Sequence, residues 1–365
     1  MKKRIAHAAL YLFCLALTLL LLFSAYRAQA AAWEYGLAVV SFVFSCFLIP
    51  VLHECGHLAI GKICKMNFIS VSFPFVTVYK ENGKIHCKSN FPRHSDAAGS
   101  CCMYPADAKN VEKRFLRFAS GGILSGILYF VLCGILVLVF HNAIVCVTLG
   151  MTLPYCAYLT ILNLFPENGE KGAYDGALIW GLLKKEPSAT IVANIFAAQG
   201  FVMRGSRPRE IPESLLFGLP QLPEDDPNFT VLKLWQYAVF LDGGKTEEAA
   251  KCVIRLEDCL NYLPGEYLIP VFCELTYVYA MLVPDEKSAQ EYYERLATNV
   301  VPVEYAADAY RAEAAFALST KNTEIARESI RRAEEALSAS GDAEGMKKMK
   351  NDLLSALCDK IKTAE

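Results

Sequence analysis

Ile49-Pro50-Val51-Leu52-His53-Glu54-Cys55-Gly56-His57-Leu58-Ala59-Ile60 closes an apolar run from Tyr35 to Gly61, whose only ionisable side chains besides Tyr35 and the cysteines are His53, Glu54 and His57. A bilayer core takes about 20 residues of helix to cross, so this run reads as a membrane span with a His-Glu-x-x-His motif near its end. Four residues turn a helix through about 400°, which puts His53 and His57 on one face, about 6 Å apart in rise. Two imidazoles so placed can share one tetrahedral zinc ion, and Glu54 beside them can take a proton from water held at the metal. Chance is the rival explanation in a soluble helix. Inside an apolar span a charged side chain costs about 3 kcal/mol on insertion scales, and a bound cation facing water gives the carboxylate a reason to be there.

Further apolar runs lie on either side. Residues 5 to 26 contain no Asp, Glu, Lys or Arg, and the 49 residues from Phe118 to Pro166 carry no formal charge. The longer run predicts two helices, near 118–139 and 143–165, broken around His141 and Asn142. Four membrane helices are therefore expected. Over the 365 residues, 54% are hydrophobic and 20% charged, which excludes disorder, collagen and coiled-coil arrays. Up to residue 183 there are 15 Lys+Arg against 9 Asp+Glu, and beyond it 21 against 29, so the two parts carry about +6 and −8 and belong in different surroundings. All 6 histidines fall in the first 141 residues.

Lys2, Lys3 and Arg4 before an apolar run, with Ala28-Gln29-Ala30 after it, imitate a secretory signal, but the run of about 22 residues exceeds the roughly 7–15 of a signal core. An uncleaved anchor over 1–34 is expected. Ten Lys+Arg lie between Lys62 and Arg117, one between Arg27 and Glu34 and none near His141, so both termini and the C-terminal domain are expected on the cytoplasmic side of the cell membrane. The 14 cysteines then sit in the membrane or a reducing compartment, which argues against a disulfide framework.

Two histidines leave a zinc site one protein ligand short. Past the fourth span the chain reads Asn163-Leu164-Phe165-Pro166-Glu167-Asn168-Gly169-Glu170-Lys171-Gly172-Ala173-Tyr174-Asp175-Gly176-Ala177. Asp175 opens a short apolar stretch, and Pro166, Gly169, Gly172 and Gly176 interrupt helix, as backbone lining a protein-enclosed or watered cavity does. On its own, Asp175 reads more often as a helix cap at the membrane surface than as a ligand.

Together, these residues resemble the site-2 proteases, intramembrane zinc metalloproteases that carry His-Glu-x-x-His in one span and Asn-x-x-Pro followed by Asp-Gly two spans later. The resemblance covers roughly residues 35 to 185. It implies His53, His57 and Asp175 as metal ligands, Glu54 as catalytic acid/base, and Asn163 as a polar aid to substrate or oxyanion. Two features depart from the family: eight residues rather than four separate Pro166 from Asp175, and Ser120-Gly121-Gly122-Ile123-Leu124-Ser125-Gly126 stands where the family often has Gly-Pro and a following Asn. The surplus reads as a loop at the cavity mouth, and the small residues as helix packing.

The expected fold class is mainly α: a polytopic membrane core of about four transmembrane helices with a small β-hairpin, plus a soluble α-helical repeat domain. The core spans 35–185. Within its cytoplasmic 64–117 region, residues 68–79 and 84–87 flank Asn82-Gly83 as a hairpin, a surface cap or an edge on which an extended substrate pairs. His86, Cys87, His94, Cys101 and Cys102 match no zinc template as a second metal site. Residues 186–228 read as a Pro-rich linker. Over 229–365, Tyr237 to Ala249 matches Ala314 to Ala326 at an offset of 77, with a third copy from Tyr279 to Ala289. Stacked helical pairs of tetratricopeptide type are expected, with a protein partner on their surface; a plain helical bundle is the alternative.

These features lead to the expectation of an intramembrane zinc endopeptidase acting on a membrane-spanning or membrane-associated protein or peptide, with Zn2+ as cofactor, the lipid bilayer as surroundings and no nucleic acid among its partners. The rival is a catalytically silent membrane platform presenting the helical repeats. A transporter is weaker, because no pair of similar broken-helix halves occurs.

Overall fold

A computed structural model describes residues 2–81, 83–90, 99–140, 142–166, 168–169, 172–173 and 175–364, and the chain divides into two units, 1–189 and 190–365. The first unit carries four helices long and apolar enough to cross a membrane. They are α1 (Lys2–Arg27), α2 (Ala32–Ile63), α3 (Val111–Phe140), and a crossing assembled from α4 (Ala143–Thr148), a 3-10 turn at Gly150–Thr152 and α5 (Leu153–Leu162). Each contains or closely matches one expected apolar run. Leu12, Val39, Leu128 and Leu138 stand exposed on these helices, as lipid-facing side chains do. The break expected at His141 and Asn142 falls between α3 and α4: Asn142 caps α4 by accepting the Val145 amide at 2.9 Å, and His141 lies outside the described residues.

Helices α2 and α3 touch backbone to backbone. A Cβ built on Gly56 would lie 2.8 Å from the Gly121 carbonyl carbon, and one on Gly121 would lie 2.9 Å from the Gly56 carbonyl carbon. Small residues permit this approach where apolar burial gives no preference for helix over lipid. One turn along α3, Gly126 meets Thr160 of α5. Pro50 removes one hydrogen bond from the α2 ladder just before His53.

Between α2 and α3 lies a four-stranded antiparallel sheet in the order β3-β2-β1-β4, built from β1 (Met66–Ser72), β2 (Val76–Glu81), β3 (Lys84–Ser89) and β4 (Ser100–Pro105). The hairpin expected around Asn82-Gly83 is β2–β3, with Glu81 opposite Lys84; Asn82 itself lies outside the described residues. The expected first strand, 68–79, is split. Pro74 has no N–H for a ladder, and Phe73 N donates to Val76 O at 2.8 Å, turning β1 back into β2. Strand β4 adds an edge that the alternation argument does not reach. The Phe75 and Phe47 rings, 5.0 Å apart, hold the sheet against α2.

After α5, the residues in surplus over the family spacing include two paired dipeptide strands, β5 (Asn168–Gly169) and β6 (Gly172–Ala173), followed by α6 (Asp175–Leu183).

The stretch expected as a linker contains helix α7 (Pro187–Met203). Beyond it, Ile211, Leu215 and Leu216 are buried, and Leu216 O accepts from Gln236 Nε2 at 2.7 Å. Its prolines stop helix, while its apolar residues still find a core. There follow α8 (Pro227–Asp242) with α9 (Thr246–Ile254), α10 (Gly265–Tyr277) with α11 (Glu286–Ala297), α12 (Ala306–Ser319) with α13 (Thr323–Ala339), and a last helix α14 (Glu344–Ala364). Short connections pair the helices. Asp285 caps α11 and Asn322 caps α13 through backbone amides, and Gly244, at φ +73, turns α8 into α9.

Ala249, Ala289 and Ala326, aligned by the repeat reading, are each the fourth residue of the second helix in their pair, and each is 0% exposed. A larger side chain there has nowhere to go. Ala289→Leu is expected to lower unfolding stability by about 1–3 kcal/mol through overpacking, read as a shift of the urea midpoint.

Candidate metal centre

His53 and His57 are carried one turn apart on the buried face of α2, and α6 brings Asp175 to them at its first residue. His53 Nε2 lies 3.0 Å from Asp175 Oδ2, His57 Nε2 lies 3.3 Å from the same oxygen, and the two Nε2 atoms are 3.1 Å apart. Three ligands held about 2.0–2.1 Å from one tetrahedral zinc are about 3.3 Å from one another. The triangle fits such a centre. Among the described residues, this is where His, Cys, Asp and Glu ligand atoms gather in a group of three.

The hydrogen-bonding of the rings bears on the same question. His57 Nδ1 donates to Phe118 O at 2.8 Å, so in the neutral ring its Nε2 bears no hydrogen and presents a lone pair. That lone pair faces the Asp175 carboxylate oxygen and the second imidazole at hydrogen-bond distance. Two imidazole nitrogens and a carboxylate oxygen converging in this way can share a proton or hold a cation between them. The Phe118 carbonyl is the outer partner that fixes ring orientation and tautomer at metal-binding histidines.

Helix α3 closes one side. Gly122 lies directly over both rings: a Cβ there would run into His53 Nε2 and come within 2.6 Å of His57 Nε2. The glycines expected to serve packing do so at Gly121 and Gly126, and Gly122 also makes room for the two imidazoles. From the sheet, Gly99, just before β4, presses on Glu54, and a Cβ there would lie 2.8 Å from Glu54 Oε1. Glu54 is itself buried, so the entry to β4 and the carboxylate share one small space.

Asn163 reaches the centre through its main chain. Its side-chain amide donates to Leu159 O at 3.0 Å within α5, while its backbone carbonyl accepts the Gly176 amide at 2.7 Å. Trp180 Nε1 donates to Leu164 O at 2.9 Å. These two bonds fasten the start of α6, and hence Asp175, to the end of α5. Gly176 permits it, since a Cβ would lie 2.5 Å from both the Leu164 and Phe165 carbonyl oxygens. Gly176→Ala is therefore expected to push Asp175 away and weaken zinc binding by about tenfold or more, measured by chelator competition on purified protein.

The other histidines and cysteines weighed as ligands are not part of the triangle, although Cys101 lies near Glu54 and Asp175. His86 stacks on Tyr79 across β2–β3 with ring centroids 5.6 Å apart, and Cys87 is exposed on β3. Cys101 and Cys102 are on β4, and His94 lies outside the described residues. The carbonyl of Phe118 and the bare Cα positions of Gly99 and Gly122 belong to the site but have no side-chain signature. No family model, curated protein or solved structure matches the chain.

Proposed function

We propose that this chain is an intramembrane zinc endopeptidase, hydrolysing a peptide bond in a membrane-spanning or membrane-associated protein or peptide. The triangle of His53, His57 and Asp175 at 3.0–3.3 Å, on and beside an apolar span, carries this reading. Zinc bound there supplies a Lewis acid for the scissile carbonyl and lowers the pKa of water towards about 7. Glu54 accepts the proton of the attacking water on its carboxylate and hands it to the leaving amine nitrogen. The His57–Phe118 bond holds the imidazole in its binding tautomer, and the backbone of Gly122 keeps the space above the rings narrow.

Strand β4 is an edge of its sheet and begins beside Glu54. Among the described residues no strand pairs with its outer side, and such an edge suits an extended segment, bound by main-chain hydrogen bonds once a substrate helix has unwound. The basic segment from Lys62 to Arg117 favours a multi-pass protein of the cell membrane with this edge and the second unit on the cytoplasmic side. The three helical pairs, with fully buried Ala249, Ala289 and Ala326, support a tetratricopeptide-like partner-binding role for the second unit.

Zinc content and the membrane peptidome together test the reading. Purified protein should hold about one zinc per chain, as a single closed set of three protein ligands requires, and His53→Ala should lose it. Cells carrying wild type should contain a fragment pair that cells carrying Glu54→Gln lack. Zinc-free wild-type protein after metal supplementation, or identical peptidomes, would overturn the proposal.

A further inference from the structure

Within the second unit, residues 218–224 and the first helical pair border a cavity of about 490 Å3, inside the range of about 300–1,000 Å3 usual for ligand sites. The segment before α8 forms one wall, Phe229, Leu232, Lys233 and Gln236 of α8 another, and Arg255, just past α9, also lines it. The first wall is an arm fastened at both ends. Leu216 O accepts from Gln236 Nε2 at 2.7 Å and the Phe217 and Phe240 rings lie 5.0 Å apart, while Glu224 pairs with Arg255. Gly218, at φ +69, turns the chain away from the first anchor. Between the anchors, Pro220 and Pro223 keep the arm out of helix, and the amides of Leu219, Gln221 and Leu222 have no hydrogen-bond partner among the described residues. Main chain is thus held in place with its donors unused.

The lining is apolar at Leu219, Leu222, Phe229 and Leu232, of which Leu232 alone is buried. Its charges do not balance. Glu224 and Arg255 take each other up, and Arg255 Nη1 also donates to Asp258 at 2.7 Å. Lys233 Nζ lies 5.6 Å over the Phe229 ring and donates to the neutral Gln236 Oε1 at 3.1 Å, with no carboxylate partner among the described residues. One ammonium therefore lacks a counter-ion in the acidic part of the chain.

We propose that this cavity binds an extended peptide in which an acidic residue stands beside an apolar one. The carboxylate meets Lys233 in a charge-assisted bond, and the apolar side chain lies among Leu219, Leu222 and Phe229. The peptide backbone runs along the arm and accepts from its unused amides, as in strand addition to an open edge. A row of idle main-chain donors beside an apolar lining matches a peptide, which brings carbonyls at the same spacing. Both anchors are made without the occupant, so the site is formed in advance and binding costs little ordering of the arm. The proposal deepens the partner-binding role given to the second unit and is independent of the metal centre.

The test uses the full-length chain in lipid nanodiscs, with a displayed library of random heptapeptides as the probe. Selection should enrich peptides with aspartate or glutamate next to an apolar residue. Labelled copies of these should bind Lys233→Glu and Leu222→Asp at least about tenfold more weakly than wild type, as loss of a charge-assisted bond or of an apolar contact predicts. Lys251→Glu, on the exposed surface of α9, should bind as wild type does. Binding that survives both cavity variants would overturn the cavity as the site and leave the partner-binding role standing, whereas a selection that enriches nothing over protein-free nanodiscs would overturn both. A small molecule that copurifies with wild type and not with Lys233→Glu, seen by native mass spectrometry, would assign the cavity to that molecule and overturn the proposal as well. Should Lys233→Glu lose the helical circular dichroism of wild type, Leu222→Asp decides, since Leu222 belongs to no helix or strand.

Discussion

Glu54→Gln protein is expected to carry the same zinc as wild type and to cleave its substrate about 10²–10⁴-fold more slowly, the usual contribution of a positioned acid/base. The separation of the two readouts follows from geometry. The His53, His57 and Asp175 ligand atoms close a triangle among themselves, so an isosteric amide at position 54 leaves the ligands in place. What it removes is the carboxylate that takes a proton from water. The change also keeps the volume of Glu54, which matters because Gly99 packs directly against that side chain. Metal analysis by mass spectrometry, with single-turnover cleavage of a fragment identified from the peptidome, measures both quantities. Full activity in the variant would remove Glu54 from the chemistry, whereas loss of zinc alongside activity would make it a structural support.

Gly122→Ala is expected to weaken zinc binding by about 10–100-fold, the range found when the supports of metal ligands are disturbed. The added methyl points at the Nε2 atoms of both histidines, and α3 could clear it only by moving away from α2 and giving up the close contact of Gly121 with Gly56. The control lies on the same helix. Gly134 has nothing within 4 Å of a built Cβ, so Gly134→Ala should leave zinc affinity unchanged and raise helix propensity slightly. Chelator titration of the two variants beside wild type tests the pair. Equal affinities in both would mean that the imidazoles do not sit under Gly122.

The sequence was most informative where a physical rule has a fixed period or a high cost. Apolar runs near the thickness of a bilayer marked the spans, and a four-residue offset placed His53 and His57 on one face. The cost of a charge in lipid singled out Glu54. Asp175 came from resemblance to a family rather than from periodicity, since nothing local distinguishes an aspartate that closes a metal site from one that caps a helix. Strand β4 escaped because its short run, Ser100 to Pro105, alternates poorly and is buried at one end only. The linker reading gave weight to prolines at 208, 212, 220, 223 and 227 and too little to Ile211, Leu215 and Leu216 among them. Gly122 was hardest to read, because one glycine in a stripe of small residues is indistinguishable from its neighbours until the side chains opposite are known.

His53 and Asp175 are 122 positions apart in the chain. During synthesis, the segment with both imidazoles leaves the ribosome and enters the bilayer well before the aspartate that completes the set has been translated. The three side chains therefore cannot meet until the end of α5 has delivered α6.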